Sequence, residues 1–160
     1  MKEINIKTSF IVFDDFNELL ESDKALFLES IKARDKAYSP YSKFSVGTAL
    51  LLENNNYVLG NNQENAAYPS GMCAERVALW NASSQFPNVK IKKLFITAKS
   101  ANKVVDKPVS PCGACRQAIA EYEVKQGQKI EIFFTGEKGK IIKSNSLSDL
   151  LPLSFDKNLL

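Results

Sequence analysis

Histidine is absent from all 160 residues of the chain. Its absence removes imidazole as base, proton shuttle or metal ligand, and with it the Ser-His and Cys-His arrangements of nucleophilic catalysis. Cysteine is nearly as scarce, with three residues. An odd count without a secretion signal argues against a disulfide framework, and a reducing, cytoplasmic setting in which thiols stay free is expected. Long apolar runs are missing as well. Nothing approaches the roughly 18 residues of a membrane span, and the densest N-terminal run, Phe10 to Phe13, stops at Asp14 and Asp15, which rules it out as a signal peptide core. No membrane partner is expected. Net charge is small, formally +3, and the lysines are scattered. The densest group, Lys90, Lys92 and Lys93, flanks apolar Leu94-Phe95-Ile96 and reads as the solvated start of a strand. With no aromatic-basic strip to track a strand, a nucleic-acid polymer is not an expected partner.

What remains is the composition of one globular domain spanning residues 1–160, 44% hydrophobic and 24% charged, with no repeat or linker. Residues 1–22 form an N-terminal extension in which alternating Ile4, Ile6, Phe10 and Val12 suggest an added strand. Leu26, Phe27, Ile31 and Ala37 predict a helix over 23–38, stopped by Ser39-Pro40. Phe44 to Leu52 and Tyr57 to Gly60, separated by Glu53-Asn54-Asn55-Asn56, predict a hairpin. A second helix is expected from Cys73 to Ser84 and a buried strand from Lys90 to Ala98. Ser110-Pro111 reads as an N-cap and first helical position, starting a third helix that runs to about Lys125. Strands over 129–135 and 140–143 and a short helix over 147–151 follow. This order predicts an α/β fold, a three-layer α/β/α sandwich around a mixed five-stranded sheet.

All three cysteines fall in two short patterns, Cys73-Ala74-Glu75 and Pro111-Cys112-Gly113-Ala114-Cys115. Three thiolates suit zinc, and with no histidine or fourth cysteine the fourth tetrahedral position is left to water, as in a catalytic site, or to a carboxylate, as in a structural one. Glu75, two residues after Cys73, can reach that water without being a ligand and serve as a proton shuttle. Both patterns sit at expected helix starts, where the macrodipole favours thiolates. Three thiolates outweigh the charge of one Zn²⁺, so at least one of Arg76 and Arg116 is expected to donate hydrogen bonds to ligand sulfur; an ordinary salt bridge is the competing role for Arg116. A Cys112-x-x-Cys115 pair alone would also fit a redox motif, but the third cysteine and Glu75 favour zinc-assisted hydrolysis.

These residues lie within a longer series: Ala37-Tyr38-Ser39-Pro40-Tyr41-Ser42-Lys43-Phe44-Ser45-Val46-Gly47, Gly60-Asn61-Asn62-Gln63-Glu64-Asn65-Ala66-Ala67-Tyr68-Pro69, Cys73-Ala74-Glu75-Arg76, Ser110-Pro111-Cys112-Gly113-Ala114-Cys115-Arg116-Gln117 and Leu150-Leu151-Pro152-Leu153-Ser154-Phe155. With these five motifs in order, the chain resembles the cytidine deaminases, zinc enzymes that hydrolyse cytidine or deoxycytidine to uridine or deoxyuridine and ammonia. The resemblance implies one Zn²⁺ per subunit held by Cys73, Cys112 and Cys115, with Glu75 moving protons. It also implies that Phe44 stacks on the pyrimidine, that Asn62 and Glu64 hold ribose hydroxyls, and that the Ala74 amide faces the base. The partner is then a small pyrimidine nucleoside. Three-cysteine members are homotetramers, which places Phe155 at a neighbouring subunit's site. Gln63 stands where an aliphatic residue is usual. Related readings are a deaminase of a nucleoside analogue such as blasticidin S, and a non-catalytic zinc-binding homologue.

Overall fold

The computed structural model describes residues 1–160. The elements in chain order are β1 (Phe10–Phe13), α1 (Glu21–Arg34), β2 (Phe44–Leu52), β3 (Tyr57–Asn61), α2 (Ala74–Gln85), β4 (Ile91–Ser100), α3 (Gly113–Gln126), β5 (Glu131–Thr135) and β6 (Ile141–Ser144). They form one sheet of six strands in the order β1-β6-β5-β4-β2-β3. Only β4 and β5 are hydrogen-bonded in parallel; the other neighbours are antiparallel. No helix is long and apolar enough to cross a membrane.

The expected sheet had five strands. The sixth is β1, which runs along β6 from Phe10 opposite Ser144 to Phe13 opposite Ile141. Its backbone covers an edge that β6 would otherwise leave unpaired. Phe13 lies over Phe133 with ring centroids 6.5 Å apart, and Phe16 meets Phe27 at 5.1 Å, so the extension joins the core from Phe13 onward, while residues 1–9 stay exposed.

Successive residues on the central strands are apolar on both faces, and each face buries under helix. Ala49, Leu51, Phe95 and Phe133 point toward α1, with Leu26 and Leu19. Leu50, Leu52, Leu94, Ile96 and Ile132 point the other way, onto Ala78, Leu79 and Ala82 of α2 and Ile119 of α3. The sandwich is therefore α1, sheet, then α2 with α3. Helix α1 has Glu21 and Asp23 in its first turn and Lys32 and Arg34 in its last, which suits its dipole. It ends four residues before the expected Tyr38. Tyr38 leaves the helix because its N–H donates to Asn62 O at 3.0 Å while its carbonyl accepts from Glu64 N at 2.9 Å.

Two glycines set how closely the helices approach. A Cβ on Gly47 would stand 2.1 Å from Ser30 O of α1, and one on Gly60 would stand 2.4 Å from both Ala74 O and Ala78 N of α2. Neither obstacle is a side chain that could turn aside, so α2 rests on bare backbone at Gly60. Gly60→Ala is expected to push α2 outward and to cost about 1–3 kcal/mol, the usual penalty of overpacking. Because α2 carries Cys73 and Glu75, metal retention on dialysis should fall with the thermal midpoint. An unchanged midpoint would show that the helix does not depend on this contact.

Topology places the starts of α2 and α3 side by side. Strands β3 and β4 are both antiparallel to β2, so they point the same way. Each is followed by a helix on the same face of the sheet. Both helices consequently begin at the same end of the sheet, the usual position of a site in an α/β fold.

Candidate active site

Cys73 and Cys112 each occupy the extended residue just before a helix, with φ/ψ of −75°/150° and −68°/167°. Their carbonyls accept the first helical bonds, from Val77 N at 3.1 Å and Arg116 N at 2.9 Å. Neither thiol caps its own helix, so both sulfurs are free to turn toward each other. The Ser110-Pro111 helix start expected from sequence is displaced: α3 begins at Gly113, and Cys112 is the cap residue. Cys115 lies one turn further in and is fully buried.

The three sulfurs all fall within 4.8 Å of one another, Cys73 Sγ and Cys112 Sγ being 3.9 Å apart. Zinc bound by thiolates at about 2.3 Å in tetrahedral geometry requires sulfurs about 3.8 Å apart. The donor set fits zinc, and the Cys73–Cys112 separation already matches the spacing zinc needs. As free thiols, the group shares its protons unevenly. The Cys73 thiol is held down to about 5, first by the neighbouring Cys115 thiol and then by Arg76 and Cys112, which together outweigh burial. Cys115 is pushed up by the neighbouring Cys73 and by burial. A dication entering here would displace the Cys115 proton.

Glu75, in the first turn of α2, is only 5% exposed. Burial holds its carboxyl above the usual carboxylate range. Arg76 donates from Nη2 to Cys73 Sγ at 3.6 Å and lies 5.9 Å from the Trp80 ring centroid. Arg116 makes no such bond. Its guanidinium instead takes Pro111 O, Leu150 O and Ser110 Oγ as acceptors, so neither role expected for it from sequence, sulfur donor or salt bridge, is the one it plays.

Of the remaining residues, Asn62 and Glu64 line the cavity beside Cys73, whereas Phe44, Ala74 and Phe155 are not among its walls. A cavity of about 560 Å³ brings Asn62 and Glu64 together with Cys73 and Arg76, walled further by Tyr41, Ser42 and Tyr68. Asn62 is bonded across to β2, accepting from Val46 N and donating to Phe44 O, both at 2.8 Å. Glu64 accepts from Tyr41 N at 2.9 Å, from Ser42 N at 3.3 Å and from the Ser42 hydroxyl. That hydroxyl, ahead of the backbone bonds, holds the Glu64 carboxyl below its ordinary range. Asn62 and Glu64 thus brace the loop that enters β2. Ser42 is a site residue that sequence reasoning missed; a serine before a lysine at φ 56° carries no pattern of its own.

Phe44 begins β2 on the α2 side of the sheet, half-buried and outside both apolar clusters, so it is not a core residue. Ala74 is fully buried as the first residue of α2, where a backbone N–H has no helical acceptor. Gln63, which stands where an aliphatic residue is usual, donates to Asn61 Oδ1 at 2.5 Å, and Asn61 donates to Ala33 O of α1 at 3.0 Å. Phe155 is 57% exposed and lies outside the cavity within its own chain.

Residues 20–128, which include all three cysteines and Glu75, match the model of the cytidine and deoxycytidylate deaminase zinc-binding region. The chain belongs to this deaminase family. A cytidine deaminase from Sporosarcina psychrophila is 43% identical over 132 residues, 82% of this chain and 90% of that protein. One from Halalkalibacterium halodurans is 38% identical over 130 residues, covering 81% and 91%. The crystal structure of cytidine deaminase from Burkholderia pseudomallei superposes with a TM-score of 0.72 at 34% identity, covering 86% of this chain and all of that one. The family match and the Cys73, Cys112 and Cys115 cluster together make Zn²⁺ the cofactor of this deaminase.

Proposed function

We propose that the protein is a zinc-dependent cytidine deaminase, converting cytidine and deoxycytidine with water to uridine and deoxyuridine plus ammonia. The observation that carries this reading is the three-sulfur cluster with a buried carboxylate two residues beyond its first member, inside the matched deaminase region.

Cys73, Cys112 and Cys115 are the residues that hold zinc in this reading. Zinc bound there supplies the positive charge that makes water a nucleophile at neutral pH. Glu75 takes the proton of the attacking water and delivers it to N3 of the pyrimidine, so one carboxyl strengthens both nucleophile and electrophile. It then takes the remaining proton of the hydroxyl added at C4 and passes it to the amino nitrogen, so that the C4–N bond breaks, ammonia leaves and the C4 carbonyl forms. Its burial suits this work, because a carboxyl with a raised affinity for protons accepts one readily and still gives it up. Arg76 offsets the excess negative charge of three thiolates through its bond to Cys73.

Phe44 presents an aromatic face to the base, and the Ala74 N–H faces the ring. Glu64 and Asn62 meet the ribose hydroxyls. Glu64 already accepts at both oxygens, but a carboxylate has about four acceptor sites and can still take a hydroxyl. Asn62 uses one of its two amide hydrogens on Phe44 O and keeps the other.

The assembly is a homotetramer in the cytoplasm, with Phe155 entering a neighbour's site. Support comes from exposed Trp80 beside a groove of about 580 Å³ between α2 and α3, from the outward-facing Phe155, and from three free thiols that suit a reducing compartment.

The decisive experiment measures zinc per chain and the absorbance change on adding cytidine, with deoxycytidine, cytosine and blasticidin S as comparators. Stoichiometric zinc with ammonia release from the two nucleosides is expected. Bound zinc without turnover of any nucleoside would overturn the assignment.

A further inference from the structure

Arg116 is a cation whose partners are all neutral oxygens. Nε donates to Pro111 O at 2.9 Å, Nη1 to Leu150 O at 2.9 Å and Nη2 to Ser110 Oγ at 3.2 Å. With no carboxylate among them, the planar fork of donors, more than the charge, is what this position uses. The acceptors come from two separate parts of the chain. Ser110 and buried Pro111 lead directly into Cys112, and Leu150 begins the C-terminal segment.

Cys112 depends on this clamp more than its partners do on theirs. Cys115 is locked inside α3 and fully buried, and Cys73 has a hydrogen bond from Arg76. Cys112 is exposed, precedes its helix and makes no capping bond. Its position follows from the Arg116 backbone N–H, which donates to Cys112 O at 2.9 Å, and from the Arg116 side chain, which fixes the preceding carbonyl. One residue on, Gln117 donates from Nε2 to Phe155 O at 2.9 Å. Two successive residues near the start of α3 thus hold the C-terminal segment at both ends.

We propose that Arg116 is a positioning residue that orients Cys112 for zinc and, through Leu150, ties the placement of the C-terminal segment to the integrity of the metal site. The proposal rests on the reading of Cys112 as a zinc ligand. It assigns Arg116 no contact with substrate. Loss of the fork should loosen both the Cys112 loop and the segment ending at Phe155, whereas loss of Gln117 should loosen only the segment.

The test uses the full-length zinc-loaded protein and the variants Arg116→Ala, Arg116→Lys and Gln117→Leu. Zinc transfer to a chromophoric chelator and amide hydrogen exchange over 150–156 are measured on each. Arg116→Ala should release zinc about 10–100-fold faster, the range seen when a group supporting a ligand is lost, and should lose protection over 150–156. Arg116→Lys keeps the charge but cannot span three acceptors; it should shift both readouts the same way, and it serves alone if the alanine variant fails to fold. Gln117→Leu should weaken protection over the segment with zinc release at the wild-type rate. Wild-type zinc release in the Arg116 variants, or equally fast release from Gln117→Leu, would overturn the proposal. Wild-type protein that binds no zinc would overturn the ligand reading itself, and is seen before any variant is compared.

Discussion

Glu75→Ala is expected to lower cytidine turnover by at least about 10²–10⁴-fold, the contribution of a positioned acid-base group, while the purified variant still carries one zinc per chain. The two halves of this expectation come from separate features. The carboxyl is 5% exposed and sits beside the sulfur cluster, yet the three clustered sulfurs already supply a donor set without it. Removing it therefore leaves the metal site whole but takes away the group that moves protons. Stability should not fall with activity, because burial opposes the charged form of Glu75 and the neighbouring Cys73 thiolate repels it. Glu75→Gln keeps the shape and cannot shuttle a proton, so it should be as inactive as the alanine variant. Ammonia release, zinc analysis and the thermal midpoint read the three quantities independently. Turnover near wild type in either variant would remove Glu75 from the mechanism, and zinc lost together with activity would make it a ligand.

How much of this was legible in the sequence varies with the range over which the controlling interactions act. The central strands were readable because apolar residues on both faces of Phe44–Leu52 and Ile91–Ser100 demand cover on both sides, and the helices supply it. The cysteines were readable because, in a chain without histidine, three thiols beside a glutamate leave few chemistries open. Their convergence on one metal was expected from that chemistry, but how the chain achieves it was not readable, since it depends on β3 and β4 pointing the same way and on Gly60 letting α2 descend. Errors gathered where distant groups override local preference. Ser110-Pro111 is a good helix start by itself, but Arg116 holds both residues in the loop and passes the cap to Cys112. Helix α1 stops at Arg34 because the Asn62–Glu64 loop takes the backbone of Tyr38. The alternation of Ile4, Ile6, Phe10 and Val12 marked extended chain correctly in part: only Phe10–Phe13 pairs, where β6 offers an edge. Asn62 and Glu64 were expected to face ribose, and nothing in their neighbours announced that the same side chains also brace the loop entering β2.

Cys115→Ser should abolish zinc binding and, with it, essentially all deaminase activity, and should also remove the stabilisation that zinc provides. Of the three ligands in the proposed site, Cys115 is the buried one, with no solvent beside it to substitute for the lost sulfur. A serine hydroxyl in its place is a harder, more weakly acidic donor and forms no comparable bond to zinc. Cys73 would suffer as well, because the Cys115 thiol is the first cause of its low pKa and thus of the thiolate ready to receive metal. The size of the effect on folding follows from mass action: a ligand at about 1,000 times its dissociation constant stabilises the native state by about 4 kcal/mol. Wild-type protein should accordingly lose thermal stability when treated with a strong chelator, and Cys115→Ser should melt at one temperature with or without it. That comparison separates loss of the metal from simple mispacking of α3, which would lower the midpoint but leave it sensitive to chelation. A Cys115→Ser protein that holds zinc against the same chelator would show that the cluster of Cys73, Cys112 and Cys115 is not the metal site.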